Sequence, residues 1–420
     1  MKKNINLILS EVLKKVKPEE KEIKEFEVFL KEFLEDIKKK IKKSKLKVEV
    51  FVGGSFAKKT VIKKKVYDID IFLRFDKKYG DKISDLTEKL LKRFRKTNIH
   101  GSRDYFNIKI NSSLFLEIIP VIKIKKPEEA KNITDLSFFH VNYIKKKFPK
   151  KVLDEIILAK SFCHTNNCYG AESYIKGFSG YGLELLIYHY GSFLKFIKEM
   201  EKVKEKVVID IDKKFKNKQE ILMNLNGSKL QSPIVLIDPT YKQRNALAAL
   251  SDETFLEFQK SCENFLKNPN VKSFEEKKID LEKIEKNAKK NKNEFILIET
   301  KTRKQEGDIA GSKLLKFHKY LNGKIEKSFY IKNKGFSYDD KKSATQFFVV
   351  KNRKEILYKG PKVKDIKNIK GFKKKHKKTF VKSGKIYSKE KINFKIEDFL
   401  KNWKNKKIMK EMYISELEIR

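Results

Sequence analysis

Apolar residues recur every three and four positions through the first part of the chain, and this spacing predicts helix over residues 1–45. The repeat forms one face of the predicted helix and consists of Phe26, Leu30, Phe33, Leu34, Ile37 and Ile41. The segment Pro18-Glu19-Glu20 places proline in a first turn and acids near the positive end of a helix dipole, which is typical of a helix start. The pattern therefore predicts amphipathic helix that packs one face against a core.

Three apolar segments further along have the shorter spacing, or the continuous apolar character, of strands. Residues 47–52, 67–75 and 114–124 are each predicted to form a strand. Proline cannot donate to a strand ladder, so Pro120 indicates an edge or the end of a strand. A helix near 82–95 would join the last two strands. We therefore expect a β-rich sheet flanked by helices at the start of the chain.

The middle and the end of the chain differ in pattern. Helical spacing dominates the middle, with apolar stripes at 152–157, 183–193 and 255–265. After a polar stretch, strand-like segments at 295–300 and 344–350 enclose a helical segment at 310–321, which predicts an α+β unit. The fold class is therefore predicted as multidomain α+β, with domains at 1–145, 146–256 and 257–420.

The chain of 420 residues carries 100 lysines and arginines against 56 aspartates and glutamates, a formal net charge of +44. Such an excess favours polyanionic partners, namely RNA, DNA or an anionic membrane surface. Of the basic residues 92 are lysine and 8 are arginine, and a genome biased toward A/T codons would produce part of this excess by itself. The three cysteines form no disulfide framework and no window approaches 18 apolar residues, so we expect a cytoplasmic protein with no membrane span.

Two aspartates lie close together in the predicted strand at 67–75. Asp68 and Asp70 are two residues apart, so their side chains point to the same face of the strand. Two carboxylates at this spacing repel each other unless a cation lies between them, and divalent metal ions bind such hard oxygens. The upstream turn Gly53-Gly54-Ser55 would let backbone N–H groups approach phosphates. Together these parts predict a site for Mg²⁺ and a nucleoside triphosphate.

A two-metal in-line displacement needs a further acid on a neighbouring strand. Glu117, in the segment LFLEIIP, is the candidate because its neighbours Leu116 and Ile118 face the other way. The alternative interpretation is that Asp68 and Asp70 are only the solvated face of an edge strand. The glycine turn before the pair and the acid-bearing strand after it favour the metal site.

Arginine is scarce in this chain, and Arg244 stands where a lysine would satisfy a need for charge alone. A planar guanidinium suits bidentate contacts to phosphate or to a base edge. We therefore expect Arg244 to contact a nucleotide. The alternative is a surface arginine or an ion pair at a helix end.

The order Gly54-Ser55, twelve residues, Asp68-Ile69-Asp70 resembles the signature of the polymerase-β-type nucleotidyltransferases. Longer blocks are similar to the archaeal, class I, CCA-adding tRNA nucleotidyltransferases. They are AKNITDLSFFHVNYI at 130–144, YGAESYIKGFSGYGLELLIYHYGSF at 169–193, VLIDPTYKQRNALAALS at 235–251, and KGPKVKDIKNIKGFKKKH with GKIYSKEKINF between 359 and 394. The resemblance extends over roughly the whole chain, and the ordered blocks are more specific than the superfamily signature.

The resemblance implies a fold and a division of labour along the chain. It implies a nucleotidyltransferase head with a mixed β-sheet and flanking helices over 1–145. A helical neck over 146–256 would bind the nucleotide and the primer end. An α+β body and a basic tail over 257–420 would bind tRNA.

The same resemblance assigns the site residues. In the family, paired acids and a third acid on the next strand hold the metal ions, which corresponds to Asp68, Asp70 and Glu117. The family usually has aspartate in the third place, so Glu117 is one methylene longer. Nucleotide contacts would come from Gly54, Ser55, Lys58, Ser137, His140, Lys160, Tyr169 and Arg244.

The implied roles of these nucleotide contacts differ. Ser55, Lys160 and Tyr169 would bind the triphosphate, and Lys58 would lie near it where the family often has arginine. Ser137 is a reasonable N-cap for a helix that brings His140 close to the nucleotide. Arg244 would contact the incoming base.

A lysine-rich segment at 371–385 is either a solvated surface or a track for the RNA backbone, and the resemblance favours RNA. The contacts would come from Lys373, Lys374, Lys375, Lys377 and Lys378. The implied partner is tRNA, bound through its acceptor stem and TΨC half, and family members also form homodimers.

The implied reaction is template-independent addition of C, C and A to the 3′ end of tRNA. The tRNA 3′-hydroxyl would attack the α-phosphate of CTP or ATP in a Mg²⁺-dependent step, and pyrophosphate would leave. One alternative is an ATP-specific RNA or oligoadenylate nucleotidyltransferase of the same superfamily. The other is a catalytically silent tRNA-binding protein.

Overall fold

The computed structural model describes residues 5–101, 103–276, 279–304, 306–403 and 406–420. The chain divides into two compact units, Met1–Lys277 and Lys278–Arg420. We call them the N-terminal unit and the C-terminal unit. In the part of the chain that the structure describes, no helix combines the length and the apolar character needed to cross a membrane.

The first part of the N-terminal unit contains one five-stranded sheet. Its strands are β1 (Val48–Val52), β2 (Tyr67–Phe75), β3 (Lys96–Ile99), β4 (Tyr105–Lys109) and β5 (Leu114–Ile122). They lie in the order β1-β2-β5-β4-β3, with β2 and β5 parallel and the other neighbours antiparallel. The three predicted strands are confirmed. The hairpin of β3 and β4 was not predicted.

Helices cover one face of this sheet. They include α1 (Ile5–Val16), α2 (Glu20–Ser44), α3 (Gly54–Lys58) and α4 (Ile83–Leu90). A capping box between Glu19 and Glu22 starts α2, and its buried Phe33 and Ile37 pack in the same core as Ile69 of β2. Burial of each such side chain stabilises the fold by about 1.5–3 kcal/mol. The helix predicted near 82–95 is shorter, because the chain turns into β3 after α4.

Pro120 lies inside β5, which is a central strand of the sheet. Its position is nevertheless a local edge, because β4 pairs only with Phe115 to Ile118 of β5. The partner of Pro120 on the other side is Leu73 of β2. The prediction that proline marks an edge is therefore correct for this part of the strand.

The second part of the N-terminal unit is mostly helical. It contains α5 (Ser137–Lys147), α6 (Lys150–Thr165), α7 (Gly180–Tyr190), α8 (Phe193–Glu201), β6 (Val207–Ile209), α9 (Lys218–Asn224), β7 (Ile234–Asp238), β8 (Tyr241–Asn245) and α10 (Asp252–Lys267). The three short strands form a sheet in the order β6-β7-β8. The core of these helices also includes Ile8 and Val12, so α1 packs with them.

The predicted boundary between residues 256 and 257 needs correction, because it falls inside α10. Phe258 and Phe265, beyond that boundary, are buried in the same core as Phe162 and Phe193. Apolar burial therefore holds α10 in the N-terminal unit, and the division of the chain lies after Lys277.

The C-terminal unit is α+β, as predicted. Its first sheet has the order β10-β11-β9-β15, and a smaller sheet has the order β12-β14-β13. The long helix α12 packs Phe317, Leu321 and Ile325 against the first sheet. The elements of this unit are α11 (Leu281–Lys290), β9 (Glu294–Thr302), α12 (Asp308–Ser328), β10 (Phe329–Tyr338), β11 (Ser343–Asn352), β12 (Glu355–Lys362), α13 (Ile366–Lys375), β13 (Thr379–Lys382), β14 (Lys385–Lys391), α14 (Ile396–Trp403), α15 (Lys406–Glu411) and β15 (Ile414–Ile419).

Candidate active site

The three predicted acids share one face of the head sheet. Asp70 of β2 lies directly opposite Glu117 of β5 in the parallel register, and Asp68 precedes Asp70 on the same side of its strand. The alternate residues Ile69 and Ile71 are fully buried in the core on the other face. The burial of the alternate residues therefore fixes the direction in which all three carboxylates point.

Negative charge on this face is poorly compensated. Burial and then the charge of Asp68 raise the pKa of Asp70 to about 6. Burial and then the charges of Asp70 and Asp68 raise the pKa of Glu117 to about 8. The one ion pair of the trio joins Asp68 to the Lys64 ammonium at 3.4 Å, on the exposed side of the site. A divalent cation would relieve this repulsion.

A further oxygen lies beside the acids. Asn107 of β4 is the direct antiparallel partner of Glu117, and its buried Oδ1 has no hydrogen-bond partner among the described residues. In that same part of the chain, no three His, Cys, Asp or Glu side chains form a group that could already hold a metal ion. The donor types and their common face suit a hard divalent cation, while their present positions do not close around one point.

The glycine turn is packed directly against the acids. Gly54 has a φ of +61°, and a Cβ on it would lie 1.6 Å from Oδ2 of Asp70. The preceding Gly53 donates its backbone N–H to the carbonyl oxygen of Asp70 at 2.9 Å. Only glycine combines this left-handed backbone with so close an approach. Gly54 therefore determines where the Asp70 carboxylate can lie.

A narrow cleft opens beside this turn. Its lining includes Ser55, Lys64, Asp68, Lys160 and Tyr169. The hydroxyl groups of Ser55 and Tyr169 make no hydrogen bond with any residue that the structure describes, and burial raises the pKa of Tyr169 above its usual range. The cleft thus presents two neutral hydroxyl donors next to the acidic face.

Lys58 and Lys160 are engaged by a buried carboxylate, Glu184 of α7. Lys58 donates to Oε2 of Glu184 at 2.7 Å, and Lys160 donates to Oε1 at 2.7 Å. Lys160 also donates to the Oγ1 and the carbonyl oxygen of Thr60, so all three of its N–H groups are used. Burial opposes ionisation of Glu184, but Lys160 and then Lys58 lower its pKa to about 2.

This cluster changes the expectation for the two lysines. Both were expected at the nucleotide, whereas here they join the turn after α3 to helices α6 and α7. With two ammonium groups and one carboxylate, the cluster carries a net positive charge next to the cleft. Direct phosphate contact by Lys58 or Lys160 stays a prediction that requires exchange of a hydrogen bond to Glu184 or Thr60.

A second buried cluster brings together the predicted residues His140 and Arg244. Both contact Oδ2 of Asp238, His140 through Nε2 at 3.0 Å and Arg244 through Nη1 at 2.8 Å. The Asp238 side chain is fully buried at the end of β7. Oδ1 of the same carboxylate accepts from the Tyr181 hydroxyl at 3.1 Å and from the backbone N–H and hydroxyl of Thr240, both at 2.8 Å. His140 and Asp238 are 98 residues apart in sequence.

Ser137 lies on the same helix as His140, one turn earlier. It was expected to be the N-cap of α5, but the structure makes Ser137 the first helical residue, with Leu136 in the cap position and no side-chain cap hydrogen bond. Asn132 instead caps the 3₁₀ turn that leads into the helix. Its partner in that capping box, Asp135, is buried and paired with Arg103 at 2.5 Å.

The five predicted RNA-contacting lysines lie in the C-terminal unit, where the carboxyl end of α13 leads into β13. All five are exposed, and no carboxylate in the described part of that unit pairs with them; they are Lys373, Lys374, Lys375, Lys377 and Lys378. Their neighbour His376 is different, because it contacts Glu390 at 2.7 Å. The five ammonium groups are available to an external anion.

Comparison with known proteins identifies the family. A family model described as "tRNA nucleotidyltransferase, second domain" matches residues 154–275. The chain is 44% identical over 210 residues to the CCA-adding enzyme of Nanoarchaeum equitans, which is 49% of this chain and 52% of that relative. It is 29% identical over 400 residues to the CCA-adding enzyme of Methanocaldococcus jannaschii, which is 91% of this chain and 87% of that relative. The chain belongs to the archaeal CCA-adding tRNA nucleotidyltransferases.

The match to the Nanoarchaeum relative thus spans about half of that relative's length. A solved structure of the Cid1 poly(U) polymerase superposes on 66% of this chain and 99% of its own, with a TM-score of 0.51 and 15% identity, which establishes the shared fold. Nucleotidyltransferases generally work with a divalent metal ion. The acidic face of this family member has the oxygen donors that such an ion needs.

Sequence reasoning missed Glu184 and Asp238 in this CCA-adding family member. Both lie within the blocks that carried the resemblance, in the apolar runs GLELLIYHY and VLID. The available signal was a single acid inside an otherwise apolar helix or strand, because an acid is rarely buried unless it is paired. Their partners lie far away in sequence and could not be inferred from spacing.

Proposed function

We propose that this protein adds C, C and A to the 3′ end of tRNA, using CTP, ATP and Mg²⁺. The observation that carries the proposal is the face on which Asp70 and Glu117 are direct partners, packed against the Gly54 turn, in a chain of the CCA-adding family. Asp68, Asp70 and Glu117 would hold the metal, which when bound neutralises phosphate charge and activates the reacting oxygens. The proposal places the protein in the cytoplasm and allows a homodimer.

The residues of the chain supply positioning and charge. In the reaction the tRNA 3′-oxygen bonds to the α-phosphorus, the bond from that phosphorus to the bridging oxygen breaks, and the hydroxyl proton passes to solvent. The unpaired hydroxyl groups of Ser55 and Tyr169 donate to triphosphate oxygens in the cleft. The net positive cluster of Lys58, Lys160 and Glu184 favours the negative charge that develops on pyrophosphate.

The nucleotide base is assigned to the second buried cluster. Arg244 uses one guanidinium nitrogen on Asp238, and its side chain is 18% exposed. The remaining N–H groups of this rigid fork have no hydrogen-bond acceptor among the described residues, so they are available to the base. Ser137 and His140 approach the nucleotide from α5.

Recognition of tRNA is assigned in part to the C-terminal unit. The five exposed lysines near the end of α13 offer positive charge without competing carboxylates. A-form RNA hides its base edges in a deep major groove, so we propose that these residues contact the backbone and recognise shape.

The test is a 3′-extension assay with a tRNA transcript that lacks CCA, supplied with CTP, ATP, UTP or GTP separately and then with CTP and ATP together. We expect two C residues and one A, and no extension without a divalent metal ion. Robust tailing with ATP and no use of CTP would instead indicate an ATP-specific enzyme and refute the proposal.

The matched variants are Asp70→Ala and Asp85→Ala, the latter an exposed aspartate of α4 outside the site. We expect Asp70→Ala to remove metal-dependent extension while tRNA binding persists, and Asp85→Ala to behave as the unmodified protein does. Equal extension by both variants would contradict the assigned metal site. Binding of tRNA without extension by the unmodified protein would indicate a silent tRNA-binding protein.

A further inference from the structure

Asp238 is the meeting point of side chains from separate elements. One carboxylate oxygen accepts from His140 of α5 and Arg244 of β8, and the other accepts from Tyr181 of α7 and from Thr240. The rings of His140 and Tyr181 also stack, with centroids 3.9 Å apart and an interplanar angle of 20°. Orientation of the whole cluster therefore depends on a single side chain that touches no solvent.

The contact with Asp238 determines which imidazole nitrogen of His140 carries hydrogen. An ionised carboxylate only accepts hydrogen bonds, and the pKa of Asp238 is held below its usual range because His140 and Arg244 outweigh the opposing effect of burial. Nε2 of His140 must therefore carry hydrogen. Burial lowers the pKa of His140, which favours the neutral ring, so Nδ1 is left as an acceptor.

Nδ1 of His140 is positioned to use this property on a ligand. The side chain is 10% exposed, and Nδ1 has no hydrogen-bond partner among the residues that the structure describes. The available N–H groups of Arg244 start from the same oxygen of Asp238. An acceptor and a set of donors are thus held side by side.

We propose that Asp238 is a positioning residue that sets nucleotide specificity, by holding His140 as a hydrogen-bond acceptor beside the donors of Arg244. This inference rests on the proposed function. The group that His140 recognises is an N–H or O–H donor of the nucleotide. Two donors fit that chemistry: the amino group that cytosine and adenine share, and the ribose 2′-hydroxyl. Uracil and guanine present a carbonyl oxygen in place of that amino group.

The decisive variant is Asp238→Asn. Its amide nitrogen cannot accept from Arg244, and it would donate to Nε2 of His140, which moves the imidazole hydrogen to Nδ1. The acceptor that faces the nucleotide then becomes a donor. The matched control is Asp135→Asn, because Asp135 is another fully buried aspartate paired with an arginine, outside the cluster.

Single-nucleotide extension is measured with CTP, UTP and 2′-deoxy-CTP for the unmodified protein and both variants. We expect Asp238→Asn to reduce the preference for CTP over one competitor at least about tenfold. Loss against UTP identifies the amino group, and loss against 2′-deoxy-CTP identifies the 2′-hydroxyl. Asp135→Asn should lower thermal stability and leave both ratios as they are. Unchanged ratios in Asp238→Asn would overturn the proposal.

A second measurement needs no reaction. Nitrogen-15 NMR of histidine-labelled protein, with the His140 signal assigned from its absence in His140→Gln, reports which ring nitrogen carries hydrogen. We expect the Nε2–H form in the unmodified protein, and a charged or Nδ1–H ring would overturn the inference. If tRNA extension fails while this form is observed, the proposed reaction is wrong and the positioning by Asp238 stands.

Discussion

Replacement of Gly54 by alanine should damage the metal site through backbone geometry alone. The new Cβ would lie 1.6 Å from Oδ2 of Asp70, so the carboxylate must move by about 1.5 Å before the two atoms reach contact distance. The φ of +61° adds a cost of about 1–2 kcal/mol for any residue with a Cβ. A displacement of about 1 Å at a reacting centre can cost 10²-fold, so we expect kcat for extension to fall about 100-fold.

Gly191 provides a matched control, because it separates the two effects. It has a φ of +79° at the end of α7, and a Cβ there would meet nothing within 4 Å. Gly191→Ala should therefore lose about the same 1–2 kcal/mol, or about 2–8 °C in Tm, while extension continues at the normal rate. The assays are thermal unfolding and extension as a function of Mg²⁺ concentration.

The Mg²⁺ titration makes the comparison decisive. We expect Gly54→Ala to need at least about tenfold more Mg²⁺ for half-maximal extension, because displacement of one ligand weakens the site. If Gly54→Ala and Gly191→Ala lose stability equally and both retain kcat within threefold, the Gly54 turn does not control the position of Asp70. That result would refute the packing argument.

Three other predictions concern the buried charges and the basic surface. Glu184→Gln leaves Lys58 and Lys160 without a counter-charge and should cost about 3–5 kcal/mol in urea unfolding, with part of the loss recovered when Lys58→Met is added; a loss below 1 kcal/mol would contradict it. Burial lowers the pKa of His318 to about 4, so the unfolded chain binds this proton first as the pH falls below 6.5. Urea titrations should therefore show about 2–3 kcal/mol more loss between pH 7 and 4.5 than in His318→Leu, and an equal loss in both would refute the assignment. Each lost phosphate contact should lower the log–log salt slope of tRNA binding by about 0.7–0.9, and an unchanged slope would exclude RNA contact by the alanine-substituted set Lys373, Lys374, Lys375, Lys377 and Lys378.

Elements with a strong apolar pattern could be predicted from the sequence. Strand β2 has the predicted limits, Tyr67 to Phe75, because residues buried on both sides give it an almost continuous apolar run. The hairpin of β3 and β4 gives no such pattern, since it lies at the edge of the sheet and β3 is the short polar segment KTNI. Periodicity thus detects burial, and it fails where a strand is held chiefly by its neighbour.

The site was predictable only where its residues are close in sequence. Asp68 and Asp70 lie on one strand, and the turn that packs on them precedes that strand by a few residues. Lys58 and Glu184, in contrast, are 126 residues apart, and their pairing depends on how α7 packs near α3. A lysine in a short helix and an acid in an apolar helix carry no local sign that they are partners.

The scarcity of arginine in this chain has a structural explanation that extends the argument about Arg244. Arg74 lies over the ring of Phe138 at 3.6 Å and pairs with Glu49, and Arg103 pairs with the buried Asp135. These sites need a planar cation that stacks or donates in two directions, which lysine cannot replace. Arg244 follows the same rule, but its first partner is Asp238 rather than a ligand. The need for a planar fork therefore arises because one group must serve the protein and the nucleotide at once.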